Sequence, residues 1–250
     1  MKALACFTFD NMGEAADIGA GLIDGVQRDG VHASLERGYP NLFALLQRHG
    51  VRATFFVEGW NGEHHPEAVA DIVRRGHELG MHGWMHEPWA GLAPAQEADL
   101  ARCATEALEH AAGVRPVGFR APGGARSAHT ESILAALGYV YDASLGDGMR
   151  PRLLPSGLVQ VPFVWQGVDG FYYLRDQPVD PAEVRDQWLR TLDRVAETGG
   201  LLLTICHAFI TGVDAARLAA LDAVMAAAVA DRRVVICTVG EVAADRRGPF

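Results

Sequence analysis

The 250-residue sequence has few cysteines, no excess of basic residues and no apolar run long enough to span a bilayer. Its four cysteines lie far apart, three of them in apolar β-like runs, so we expect free thiols and a reducing compartment. A net charge of −9 with scattered arginines argues against nucleic acid and anionic membranes as partners. The richest apolar stretch, 218–229, is an Ala-rich helical pattern interrupted by Asp222, so we expect no stable membrane insertion.

The start of the chain predicts a cytoplasmic protein. It carries one lysine and a short apolar run that ends at Asp10, without a small-residue cleavage site, which is not the pattern of a signal peptide. The length suits a single α/β domain over residues 1–250, large enough to fold without disulfides or a structural metal. We therefore expect any bound metal to take part in catalysis rather than to stabilise the fold. The oligomeric state stays open, a homo-oligomer included.

Short apolar runs alternate with helical patterns along most of the chain. Strands are predicted at 4–9, 53–57, 79–82, 117–120, 139–141, 158–161, 201–206 and 234–238. Helices are predicted at 39–49, 66–75, 94–112, 127–137, 181–197 and 214–230. This order predicts a parallel sheet curled into a closed or nearly closed barrel. The Gly-rich segment 12–38 interrupts this alternation of strands and helices as a long loop insertion. It is either a cover over the site or a poorly ordered connector.

Polar side chains follow several of the predicted strands. They are Asp10, Asn11, His82, His86, Arg120, Asp147 and His207. In a parallel barrel the carboxyl ends of the strands share one rim, so we expect these groups to converge there. His82 and His86 are four residues apart, a spacing that brings two imidazoles to one face in either a helix or a strand. Two imidazoles and one oxygen ligand would leave open positions on a divalent ion, as in hydrolytic metal sites.

Five segments, taken in order, resemble the motifs of the NodB-homology polysaccharide deacetylases, carbohydrate esterase family four. They read Phe-Thr-Phe-Asp-Asn (7–11), Gly-His-Glu-Leu-Gly-Met-His-Gly-Trp-Met-His (76–86), Phe-Arg-Ala-Pro-Gly-Gly (119–124), Tyr-Asp-Ala-Ser-Leu-Gly-Asp (141–147) and Leu-Thr-Ile-Cys-His (203–207). The resemblance implies a distorted (β/α) barrel of about seven parallel strands. It also implies metal-assisted removal of an N-acyl group.

The resemblance assigns a role to each of these side chains. Asp10 would be the general base acting on metal-bound water, with Arg120 orienting it. His207 would be the general acid for the leaving amine, and Asp147 would fix His207 and tune its charge. His82, His86 and Asn11 would hold the metal, most simply zinc. Trp84, Trp89, Pro122 and Gly123 are the expected substrate contacts.

Two positions depart from the family pattern. Asn11 stands where the family usually has a metal-binding Asp, and its neutral carbonyl oxygen is a weaker ligand, so the ion would bind less tightly or be absent. Glu14, in the same loop, is an alternative ligand. Gly148 stands where the family often has a Trp that lines the acyl pocket, a place that Trp84, Trp89 or Trp165 could fill.

The sequence thus predicts a metal-dependent hydrolase of a non-peptide C–N bond that removes an acetyl or formyl group from an amino sugar or related small molecule. Two alternatives stay open. One is a cyclic amide or imide hydrolase, because the segment from His82 to Trp89 is also similar to allantoinase-like and deformylase branches of the superfamily. The other is a catalytically silent sugar-binding protein that lost its ion with the change at Asn11.

Overall fold

The computed structural model describes residues 2–24 and 32–247. The strands are β1 (Ala3–Asp10), β2 (Thr54–Val57), β3 (Glu78–Met81), β4 (Gly118–Phe119), β5 (Tyr141–Asp142), β6 (Arg152–Leu153), β7 (Val159–Gln160), β8 (Gly200–His207) and β9 (Val234–Ile236). The α-helices are α1 (Ala15–Gly19), α2 (Tyr39–His49), α3 (Trp60–His64), α4 (Pro66–Arg74), α5 (Pro94–Ala112), α6 (Thr130–Ala136), α7 (Asp169–Tyr173), α8 (Pro181–Thr198), α9 (Ala215–Ala230) and α10 (Val239–Arg247). Within these described ranges, no helix combines the length and apolarity needed to cross a membrane.

The sheet confirms the predicted curled parallel architecture. Its strand order is β6-β7-β5-β4-β3-β2-β1-β8, and β9 pairs with the first residues of β1. Every pairing is parallel except that of β6 with β7. The strand order ends at β6 on one side and at β8 on the other, which leaves a gap in the barrel wall. A single parallel bridge between Val168 and Ile205 links the segment after β7 to β8 and so narrows this gap.

The central strands explain why the site forms at one rim. All eight residues of β1 are buried, as are the first seven of β8, which suits parallel strands covered on both faces. Asp10 is the register partner of His207 on β8 and of Phe56 on β2. Directly paired residues point to the same face of a sheet, so Asp10 and His207 project together.

Local sequence signals place the large helices as predicted. α2 ends at Gly50, whose φ of 63° is the left-handed conformation that closes a helix. Proline stands at the start of α4, α5 and α8, where its missing N–H costs nothing. The carboxylate of Asp214 accepts hydrogen bonds from the first turn of α9. The structure adds short helices that the sequence pattern did not predict, α3 and α7 among them.

The inserted segment 12–38 contains local structure where it is described. It holds α1 and one turn of π-helix at Ser34–Gly38, while 25–31 lie outside the described residues. α1 packs tightly on the turn that carries His86, because a Cβ on Gly19 would lie 2.2 Å from the carbonyl oxygen of Met85. The described part of the insertion therefore lies beside the predicted site.

Candidate active site

Asp10 and Arg120 form a buried ion pair at the end of β1. Arg120 donates from Nη1 to Asp10 Oδ1 at 2.7 Å and to Thr8 Oγ1 at 2.8 Å. It also donates from Nε to the carbonyl oxygen of Ala143 at 3.1 Å. Burial alone would raise the pKa of Asp10, but Arg120, with smaller contributions from His82 and His207, lowers it below the ordinary 3.8. Asp10 is therefore held ionised and oriented, as a general base requires.

His207 is paired with Asp169, a residue that the sequence analysis did not single out. His207 Nδ1 lies 2.6 Å from Asp169 Oδ1, and Oδ2 accepts from the His207 backbone N–H at 2.8 Å and from Thr211 Oγ1 at 2.6 Å. Burial opposes protonation of His207, but the buried Asp169 carboxylate beside it raises the pKa of the imidazole above its ordinary value. The ring can thus carry a proton near neutral pH.

The predicted partner of His207 was wrong. The Asp147 carboxylate is 41% exposed and bonds to Arg152 Nη2 at 2.9 Å and to Gln160 Nε2 at 3.0 Å. Asp147 follows the short strand β5, and its loop turns toward β6 and β7 rather than toward β8. Asp169, at the first turn of α7, takes its place because the bridge at Val168 brings that segment against β8.

His82 and His86 are suited to hold a metal ion. His82 Nδ1 lies 2.8 Å from the Arg120 carbonyl oxygen, to which it must donate, so the lone pair is on Nε2. Burial lowers the pKa of His82 to about 3 and also lowers that of His86, which keeps both rings neutral, as ligands must be. Their ring centroids are 5.0 Å apart. Within the described residues, no set of three or more His, Cys, Asp or Glu side chains is arranged to hold a metal.

Asn11, the predicted oxygen ligand, directly follows Asp10 but is not among the residues that line the cavity with His82 and His86. Asn11 follows Asp10 in a left-handed conformation, φ 64°, and its side chain is buried. Its Nδ2 donates to Glu58 Oε1 at 2.6 Å. None of the described residues donates a hydrogen bond to its Oδ1, so the carbonyl oxygen stays available. Two neutral imidazoles and one amide oxygen would form the donor set for the ion.

Glu14 is engaged elsewhere. Its Oε2 lies 3.0 Å from Nε2 of His65, and both side chains are largely buried. The carboxylate is therefore part of a contact between the inserted segment and the end of α3. The structure gives no support for Glu14 as a ligand beside His82 and His86.

A cavity of about 320 Å³ opens over these groups. Its polar lining consists of Asp10, His82, His86, Arg120 and His207. Its apolar lining comes mainly from the segment 163–171 and from β8, with Phe163, Trp165, Val168, Phe171 and Ile205. One wall can thus carry the reaction while the other binds an apolar or ring-shaped part of a substrate.

The structure places the four predicted substrate contacts in different surroundings. Gly123 lines the cavity, but Trp84, Trp89 and Pro122 do not. Trp89 is 1% exposed and donates its Nε1 proton to Glu97, so it belongs to the core. Trp84 packs beside Gly59 at the start of α3, and Pro122 is buried against the turn at Gly83. Trp165 is the tryptophan that lines the cavity.

The profile of the polysaccharide deacetylase family matches residues 5–141 of this chain. The chain belongs to the polysaccharide deacetylase family. A Mycobacterium smegmatis protein classed as a polysaccharide deacetylase has a crystal structure that superposes with a TM-score of 0.89 at 32% identity, covering 98% of this chain and 91% of that one. This similarity extends over His207 and Asp169, which lie beyond the matched profile.

Two further similarities bear on function and fold. A peptidoglycan deacetylase of Helicobacter pylori is 32% identical over 163 residues, or 65% of this chain. That match covers 50% of the Helicobacter protein, so this chain corresponds to about half of its length. The crystal structure of PuuE allantoinase superposes with a TM-score of 0.82 at 19% identity, over 97% of this chain and 89% of that one. At that identity the likeness concerns the fold alone.

Proposed function

We propose that this polysaccharide deacetylase family member is a hydrolase of non-peptide C–N bonds that removes an acetyl or formyl group from an N-acylated amino sugar or related small molecule. The observation that carries the proposal is the arrangement of Asp10 and His207. Asp10 is a carboxylate bonded to Arg120, which lowers its pKa, His207 is an imidazole bonded to Asp169, which raises its pKa, and both line one cavity. Amide hydrolysis needs such a base and such an acid.

In this reaction Asp10 accepts a proton from the attacking water. Arg120 holds the carboxylate at Oδ1, and Oδ2, which lies 4.0 Å from His82 Nε2, takes the proton. His207 then donates its proton to the departing nitrogen, because an amine leaves far more readily once it is protonated. A divalent ion held by His82, His86 and Asn11 would polarise the acyl carbonyl and lower the pKa of water. Zinc suits the imidazole ligands.

The shape of the cavity favours a small substrate or the end of a short chain. About 320 Å³ lies at the lower end of the range for small-molecule pockets, and it is shared between the reacting groups and an aromatic wall. Aromatic faces such as that of Trp165 can cover a sugar ring or another apolar surface. We therefore propose that the substrate is a soluble N-acylated compound rather than a mature polymer. We also propose a cytoplasmic location, which fractionation of the producing cells would test.

An assay that separates the products tests the proposal. Zinc-loaded protein is expected to release acetate or formate from N-acetyl or N-formyl amino sugars, and His82→Ala is expected to abolish both zinc binding and release. Ring opening of a cyclic amide without acid release would favour the alternative hydrolase. Sugar binding without turnover by zinc-loaded protein would make the protein a silent binder.

Trp165→Ala is expected to raise KM about tenfold and to change kcat less than threefold. The ring is 44% exposed and meets Phe163 edge to face at 5.3 Å, so its loss removes part of the apolar wall but none of the reacting groups. A partial loss of aromatic burial of about 1.4 kcal/mol corresponds to that factor. Leu153→Ala, an exposed apolar change outside the cavity, serves as the control. An unchanged KM would exclude Trp165 from substrate binding.

A further inference from the structure

Glu58 lies fully buried beneath the metal-binding rim and has no part in the reaction described above. It directly follows β2, next to the end of β1 where Asn11 lies. Its two carboxyl oxygens accept three hydrogen bonds from other residues of the described ranges. Oε1 accepts from Asn11 Nδ2 at 2.6 Å, and Oε2 accepts from the Met12 backbone N–H at 3.0 Å and from Asn61 Nδ2 at 3.1 Å.

These bonds fix the orientation of the Asn11 amide. Each of the three groups that face Glu58 is a donor, so both of its oxygens act as acceptors, and the amide nitrogen of Asn11, not its carbonyl oxygen, points to Glu58. The bond from the Met12 N–H ties Glu58 to the backbone just after the left-handed residue 11. An amide without such a partner could turn about its terminal torsion and present either its nitrogen or its oxygen, and a nitrogen cannot bind a cation.

We propose that Asn11 and Glu58 act as a matched pair, in which the buried carboxyl group of Glu58 positions the amide of Asn11 with its oxygen toward the metal-binding side chains. Glu58 is thus a positioning residue. The metal part of this inference rests on the proposed function, while the pairing itself does not.

The pairing reverses a simple expectation for Asn11→Asp. A charged ligand at position 11 would by itself be expected to bind zinc more tightly. The new carboxyl group, however, has no N–H to donate to Glu58, so two acceptor oxygens would face each other where Asn11 Nδ2 now donates to Oε1, and the side chain would leave the orientation that Asn11 has. The change alone therefore does not place a carboxylate oxygen where the amide oxygen of Asn11 now lies. With Glu58→Gln as well, the amide at position 58 can donate to the carboxylate at position 11, and that carboxylate is free to bind the ion.

A double-mutant cycle measured with chelator present tests the pairing without any metal. Glu58→Gln alone is expected to lower the melting temperature by several degrees. The NH₂ group of the glutamine would face Asn11 Nδ2, which in the wild type donates to Glu58 Oε1. The double variant Asn11→Asp/Glu58→Gln is expected to melt above Glu58→Gln alone, because the second change restores donor–acceptor pairing. Glu63→Gln, an exposed carboxylate on the following helix, is the control and should melt like the wild type. Additive effects of the two changes would overturn the pairing.

Zinc competition titrations of the same proteins test the positioning. Asn11→Asp is expected to change the zinc Kd less than threefold, and the double variant to lower it at least tenfold relative to Asn11→Asp. Equal tightening by the single and the double variant would overturn the positioning role. If none of the proteins binds zinc, the metal requirement of the proposed function fails, and the melting cycle alone then decides whether the pair exists.

Discussion

Replacing His207 with Asn is expected to lower kcat/KM by about 10²–10⁴-fold and to remove the alkaline limb of the pH profile. The wild-type imidazole has its pKa raised by Asp169, so the acid form is present below that raised pKa and is lost as the pH rises through it. Asparagine can still donate a hydrogen bond to Asp169, but its amide cannot act as a general acid near neutral pH. Asp10, with its lowered pKa, sets the acidic limb or shares it with the water that it activates.

The zinc content of the His207→Asn variant separates two roles. It should equal that of the wild type, because His207 is a proton donor in this scheme and not a ligand. Steady-state rates from about pH 4 to pH 10 together with elemental analysis provide the measurement. A variant that loses its zinc would make His207 a ligand, and a variant that keeps its rate would place the acid elsewhere.

Asp169→Asn is expected to lower kcat/KM by about 10²-fold or more. The carboxylate holds Nδ1 of His207 at 2.6 Å and raises the pKa of the ring, so its neutral replacement should also shift the remaining alkaline limb to lower pH. A purely structural role would reduce the rate without moving that limb.

Asp147→Asn is the matched control for this prediction. It removes the same charge from a carboxylate that contacts Arg152 and Gln160, and it should leave both the rate and the pH profile close to wild type. If the alkaline limb moves in Asp147→Asn and stays in Asp169→Asn, the assignment made from the structure is wrong.

The architecture and three of the four side chains in the two hydrogen-bonded pairs, Asp10–Arg120 and His207–Asp169, could be predicted from the sequence because both depend on local patterns. Helices such as α2 and α5 have the predicted bounds, since amphipathic spacing and flanking Gly or Pro define them within a few residues. Asp10, Arg120 and His207 follow apolar runs directly. In a parallel sheet that position alone brings them to one rim.

Asp169 was missed because no apolar strand precedes it. It begins a five-residue helix after a 3₁₀ turn at Trp165–Gly167, and its contact with His207 depends on a single bridge between distant segments. The signal for Glu58 was present, however. It comes directly after the apolar run 54–57, so the rule that selected Asp10 and His207 would also have selected it.

In the proposed reaction the segment 163–171 would contribute both to substrate choice and to proton delivery. It supplies Trp165 and Phe171 to the cavity and Asp169 to the acid, and one bridge at Val168 holds it against β8. A substitution that moves the backbone of this segment to fit a new acyl group is therefore expected to displace the pH optimum as well, whereas truncation of a side chain, as in Trp165→Ala, is not. Laboratory evolution of this enzyme at one fixed pH would discard variants with improved selectivity, and screening across several pH values would recover them.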